Sequence, residues 1–169
     1  YFNEWAEKDM GNMLHNYYLY ESNGKLSILP WDYNLAFGAF TGGNGQTGTD
    51  ATALINTGID TPLFGTTDEA RPMWAWIAAD EEYLAQYHAV LDSMISDYFE
   101  SGAFEEEIDA LYEMLSPYVE ADPSAFYTKD EFTEACQMLK LFCFKRAQSV
   151  RAQLDGMLST CTEEQNVTE

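Results

Sequence analysis

The chain has 169 residues, a formal net charge of −21, and 46% hydrophobic and 15% aromatic residues. That length and apolar content suit one folded domain and exclude a disordered chain, while the acidic excess argues against a nucleic-acid or anionic-membrane partner, because like charges repel. No run approaches the roughly 18 apolar residues of a membrane span, and Tyr1-Phe2-Asn3-Glu4-Trp5 lacks the basic-then-apolar pattern of a signal segment.

In chain order, Tyr1 to Met10 mixes Tyr1, Phe2, Trp5 and Ala6 with Glu4, Glu7 and Lys8, which suits the last turns of a helix whose beginning is missing. A truncated domain is expected on that ground. Asp9-Met10-Gly11-Asn12 supplies turn chemistry. From Tyr17 an aromatic alternation runs to Ser22-Asn23-Gly24 and resumes as Lys25-Leu26-Ser27-Ile28-Leu29-Pro30, two β-rich runs about an Asn-Gly pair and hence a hairpin. Trp31-Asp32-Tyr33-Asn34 follows, so a carboxylate and an amide leave the strand end together.

Residues 39–70 shift to Gly, Thr, Asn and Asp and read as a long loop, anchored by Leu54, Ile55, Ile59, Leu63 and Phe64. Gly42-Gly43-Asn44-Gly45 lacks the Gly-Lys-Ser/Thr of a phosphate cradle and reads as flexible chain. Beyond Arg71-Pro72 the chain turns helical. Leu84, Tyr87, Leu91, Met94, Ile95 and Tyr98 form an amphipathic stripe ending near Ser101-Gly102, and Phe104, Ile108, Leu111, Tyr112 and Leu115 form another that Ser116-Pro117 kinks or ends. Thr128-x-x-Glu131 is a capping box opening a long last helix marked by Phe132, Cys136, Leu139, Cys143, Val150 and Leu154. Cys136 and Cys143 lie roughly 10 Å apart along that helix, beyond disulfide reach, and read as buried hydrophobes. Lys140, Lys145, Arg146 and Arg151 read as a solvated stripe. Everything after about Thr160 reads as frayed, and the sequon at Asn166-Val167-Thr168 as chance.

Asp9, Asn12, His15, Asn16, Asp32 and Asn34 are the groups able to act near the hairpin. The hairpin brings its ends together, so carboxylates and amides before and after it can converge, and oxygen ligands of this kind suit magnesium. Phosphoryl transfer asks for one carboxylate to orient a hydroxyl and another, with an amide, to hold metal. By spacing alone this is weak, since Asp and Asn are also turn residues.

The residues themselves say more. Asp9-x-Gly11-Asn12, His15-Asn16-Tyr17-Tyr18-Leu19-Tyr20, Gly24-Lys25 and Leu29-Pro30-Trp31-Asp32-Tyr33-Asn34-Leu35-Ala36-Phe37-Gly38 closely resemble the spore coat protein H (CotH) kinase family, and the similarity continues through Arg71-Pro72-Met73 to Gln153-Leu154. The resemblance implies an atypical kinase that moves the γ-phosphate of ATP, with Mg2+, to serine or threonine of secreted or coat proteins, outside the cell, at its surface or in the spore coat. It implies Asp9 as the catalytic-loop aspartate, and Asp32 and Asn16 (less readily Asn12) as the groups holding metal and nucleotide. Asn34 would be a further metal ligand where family members often carry aspartate. Lys25 reads as a solvated hairpin residue, and the lysine for the α- and β-phosphates would belong to a missing N-terminal half, without which the chain is expected to be inactive.

The fold expected is α+β: a small antiparallel hairpin packed on a mostly helical lobe resembling the C-terminal lobe of an atypical protein kinase. Within a single domain over 1–169, residues 1–38 form the catalytic and metal-binding region, 39–70 the loop, 71–160 the helical bulk and 161–169 a frayed tail. The competing readings are a non-catalytic coat or surface scaffold and a calcium-stabilised binding domain. Two converging carboxylates, which repel without metal, favour the enzyme, and no Asp-x-Asp-x-Asp-Gly loop supports the calcium reading.

Overall fold

The computed structural model describes residues 17–33, 36–38, 54–62, 67–68 and 71–165. The fold is α+β, a two-stranded antiparallel sheet followed by helices. Strand β1 (Tyr17–Ser22) pairs with β2 (Lys25–Pro30) from Tyr17 opposite Pro30 to Ser22 opposite Lys25. Asn23 (φ 55°) and Gly24 (φ 75°) are both left-handed, as a two-residue turn matching the strand twist requires. The Gly24 amide donates to Glu21 Oε1 at 2.6 Å. Both faces carry open apolar groups: Tyr18 (66% exposed) and Leu29 on one, Leu19 (53%) and Ile28 on the other.

Helix α1 (Pro72–Ala78) opens on proline, whose missing N–H costs nothing in a first turn. Helix α2 (Glu81–Met94) is capped by the Asp80 side chain, which accepts from the amides of Glu82 and Tyr83. It continues as a π-helical segment, Ile95–Glu100, before Gly102 (φ 87°) turns the chain into α3 (Ala103–Ala121). Helix α4 (Lys129–Leu154) starts at the reciprocal Thr128–Glu131 capping box. It ends in a Schellman turn, in which left-handed Gly156 bonds to the Gln153 carbonyl and Met157 to that of Ala152. A short α5 (Thr162–Gln165) follows.

Helices α3 and α4 run antiparallel: Tyr112 stacks on Phe132, its hydroxyl lies 2.9 Å from Thr133 Oγ1, and farther along Lys140 reaches Asp109 at 2.9 Å. The small buried core joins Ile95 after α2, Ala147 and Val150 of α4, and Ile59 from the 54–62 segment, with Tyr87, Leu91, Phe99 and Leu154 packed around it.

Several sequence expectations change. Helix α3 runs past Pro117 to Ala121, because proline removes one N–H bond but leaves the outer turn free to continue. Its expected stripe is buried at Phe104, while Leu111 and Leu115 are exposed. Arg146 is not part of a solvated stripe: its Nη1 donates to the carbonyls of Ile55 (2.9 Å) and Thr57 (2.6 Å). The described part of the tail is not frayed either. Thr162 accepts from the Gly58 amide at 2.8 Å and donates its own amide to Thr61 Oγ1 at 2.8 Å. All three cysteines are free, with Cys143 buried and Cys136 and Cys161 half-buried.

Candidate active site

The conformation at the end of β2 follows from its residues. Pro30, which cannot donate a ladder bond, closes the strand. Trp31 then stacks back on Tyr18, ring centroids 6.1 Å apart, and so directs the departing chain. Asp32 follows with φ 63°, a left-handed conformation uncommon outside glycine and best tolerated by Asn and Asp. Its side chain is exposed and meets no partner among the described residues. A tight turn in which the Ala36 amide donates to the Tyr33 carbonyl (2.9 Å) leads to Phe37 (φ 58°) and Gly38 (φ 80°). Three left-handed residues within seven positions make this the most conformationally constrained part of the described chain.

The helical lobe receives this segment at Gly38. A side chain begun there would lie 3.1 Å from Phe142 of α4 and 3.6 Å from Leu54. Leu54 opens the 54–62 segment, which is held at almost every residue. Besides the Arg146 bonds, the buried Gln153 accepts from the Ile59 amide (2.8 Å) and donates to the Thr57 carbonyl (3.3 Å) and Ser149 (3.2 Å). The Tyr87 hydroxyl donates to the Ile59 carbonyl at 3.1 Å, and His88 Nε2 lies 2.6 Å from Asp60 Oδ1. Burial pushes the Tyr87 phenol up and the Arg146 guanidinium down from their ordinary values. Sequence reasoning missed this clamp. Its one signal was a glutamine at 153 within an apolar stripe.

Of the site residues expected from the sequence, Asp32 is placed at a strand end as foreseen. Asp9, Asn12, His15, Asn16 and Asn34 lie outside the described residues. Lys25 sits at the turn end of the hairpin, roughly 20 Å of strand away from Asp32 at about 3.3 Å per residue. Among the described residues no three His, Cys, Asp or Glu side chains form a metal-holding group.

Compared with known families, residues 2–150 match the model of the CotH kinase protein family. The chain belongs to that family. The match spans the hairpin, the Asp32 turn, the clamp residue Arg146 and nearly all of α4, so it covers the described structure up to the last turn of that helix. No curated protein and no solved structure matches the chain. Among the described residues no helix is long and apolar enough to cross a membrane.

Proposed function

We propose that this chain carries the metal-binding edge of a protein serine/threonine kinase, with Asp32 as the carboxylate that holds Mg2+ against the phosphates of ATP. The observation that carries the reading is Asp32 itself: a carboxylate free of described partners, on a left-handed residue at a strand end, fixed by the Trp31–Tyr18 stack. A left-handed backbone at an exposed acid, in a stretch that also holds Phe37 and Gly38 left-handed, is a feature met at functional positions. An exposed carboxylate also fits a hard cation that takes oxygen ligands and keeps several waters. Mg2+ bound there would neutralise charge on the transferred phosphoryl group.

In this reading Asp9 accepts the proton of the attacking hydroxyl, Asn16 supplies the amide that helps hold metal and nucleotide, and Asn34 adds a second donor after Asp32. The substrate is a serine or threonine of a secreted or coat protein. The open faces of the hairpin, with Tyr18, Leu19 and Ile28 about half exposed or more, support a further part of the kinase covering them and supplying the phosphate-binding lysine. The 169-residue chain by itself then binds nucleotide poorly and transfers no phosphate. Incubation of this chain with Mg2+ and γ-labelled ATP tests that point: autophosphorylation would contradict it. The scaffold alternative gives no phosphotransfer by the intact kinase and no rise in melting temperature with Mg-ATP.

A further inference from the structure

At the far end of the helical pair from the core, the last turn of α3, the 122–128 connection and the first turns of α4 enclose a groove of about 640 Å3. Its floor and walls are Val119, Phe126, Tyr127, Phe132 and Met138. Phe126 is 96% exposed, and Tyr127 and Met138 also stand open. Folding gains nothing from an aromatic ring left in water, so this concentration of apolar surface has no account among the described residues. A groove of about 640 Å3 is in the range of clefts that take a drug-sized ligand and has room for a bulky apolar side chain with its neighbours.

The charge around the groove chooses the occupant. Glu131 and Glu134 lie in its wall. The Thr128 amide and hydroxyl both donate to Glu131, lowering its pKa, so it stays ionised at neutral pH. Glu134 has no partner among the described residues. Glu120, Asp122 and Asp130 flank the same connection, and the one cation there, Lys129, is already paired with Glu120 at 2.5 Å. An acidic rim on a chain of charge −21 repels a second copy, a nucleic acid or an anionic membrane.

We propose that this groove docks a peptide segment of a partner protein in which a bulky apolar side chain stands beside lysine or arginine. The apolar side chain fills the space against Phe126, Phe132 and Met138, and the cations meet Glu131 and Glu134. This rests on the groove alone and not on the Asp32 reading, so either can fail without the other.

The test is methionine-methyl NMR of the chain, with the Met138 signal assigned by Met138→Leu, titrated with acetylated Lys-Arg-Leu-Leu-Arg-Lys. The expected result is a saturable shift of Met138 but not of Met73 in α1. The exposed substitution Glu134→Lys weakens binding about five-fold, the effect of roughly 1 kcal/mol of lost attraction. Three outcomes overturn the proposal: no Met138 shift at millimolar peptide, an equal shift with Glu-Asp-Leu-Leu-Asp-Glu, or a peptide-independent shift on concentrating the chain, which marks self-association.

Discussion

The ring of Phe142 on α4 closes to 3.1 Å of the point where a side chain on Gly38 would begin. Gly38 ends the turn that leaves Asp32, and Leu54 lies 3.6 Å from the same point, so this contact ties the strand-end carboxylate to the helical lobe. Glycine takes the left-handed φ of 80° without strain, whereas a Cβ there would be strained by the backbone and would need the Phe142 ring to give way.

Gly38→Ala is accordingly expected to destabilise the chain. The left-handed conformation alone costs a residue with a Cβ about 1–2 kcal/mol, and the contact with Phe142 adds to it. Urea unfolding measures the total. Combining the substitution with Phe142→Leu separates the two causes: steric relief recovers part of the loss, and the backbone part persists. Full recovery in the double variant would show that backbone conformation plays no role.

Two arginines on α4 make opposite predictions. Arg151 pairs with Glu100 (2.9 Å) and Asp92 (2.5 Å) where the acids are about half exposed, so water screens the attraction, and Arg151→Ala should cost at most about 1 kcal/mol. Arg146 is a half-buried donor to the Ile55 and Thr57 carbonyls, desolvated enough to push its guanidinium down from its ordinary value. Arg146→Met leaves those carbonyls with an apolar neighbour and should cost about 2–3 kcal/mol, from the loss of two charged hydrogen bonds at a half-buried site. Equal losses at the two positions, by chemical denaturation, would contradict the burial argument.

Gly58 sits where a Cβ would collide with the Thr160 carbonyl oxygen and meet the Thr162 amide at 2.6 Å. Both are backbone atoms, so Gly58→Ala must push the tail off the 54–62 segment. Amide hydrogen exchange should then show lost protection at Asp60, which donates to the Thr160 carbonyl, and at Thr162, which donates to Thr61. Unchanged exchange at both amides would mean that the tail is not held this way.

Burial pushes the Cys143 thiol up to about 11 from 9.0. The folded state therefore holds its proton more tightly than the unfolded chain. The associated stability is fully present below pH 9 and is lost as pH rises towards 11, because the unfolded thiol ionises first. At pH near 8 a thiol reagent should modify Cys143 far more slowly than the half-buried Cys161. Comparable rates, by mass spectrometry of the labelled chain, would contradict its burial.

What the sequence showed plainly was local. The Asn23-Gly24 turn, the Thr128–Glu131 capping box and the strand end at Asp32 each depend on neighbours within a few residues, and each stands where the residue pattern placed it. The hidden parts depend on distant chain. Arg146 shares its helical spacing with Lys140 and Arg151 and is drawn out of solvent only by the 54–62 segment, whose carbonyls it binds. The tail looked frayed because its partners, Gly58 and Thr61, lie about a hundred residues away. Pro117 left two readings, a kink or an end, and the helix does not end there: with one ladder bond missing it still completes its last turn.

The central claim is that Asp32 holds the metal for phosphoryl transfer. The most direct test is Mg-dependent transfer of labelled γ-phosphate by the intact kinase, comparing wild type with Asp32→Asn and Asp9→Asn. Asparagine at 32 keeps the tolerance for a left-handed backbone and removes only the charge. The account predicts transfer by wild type and none by either variant, with melting temperatures unchanged. Wild-type transfer that survives in Asp32→Asn would contradict it.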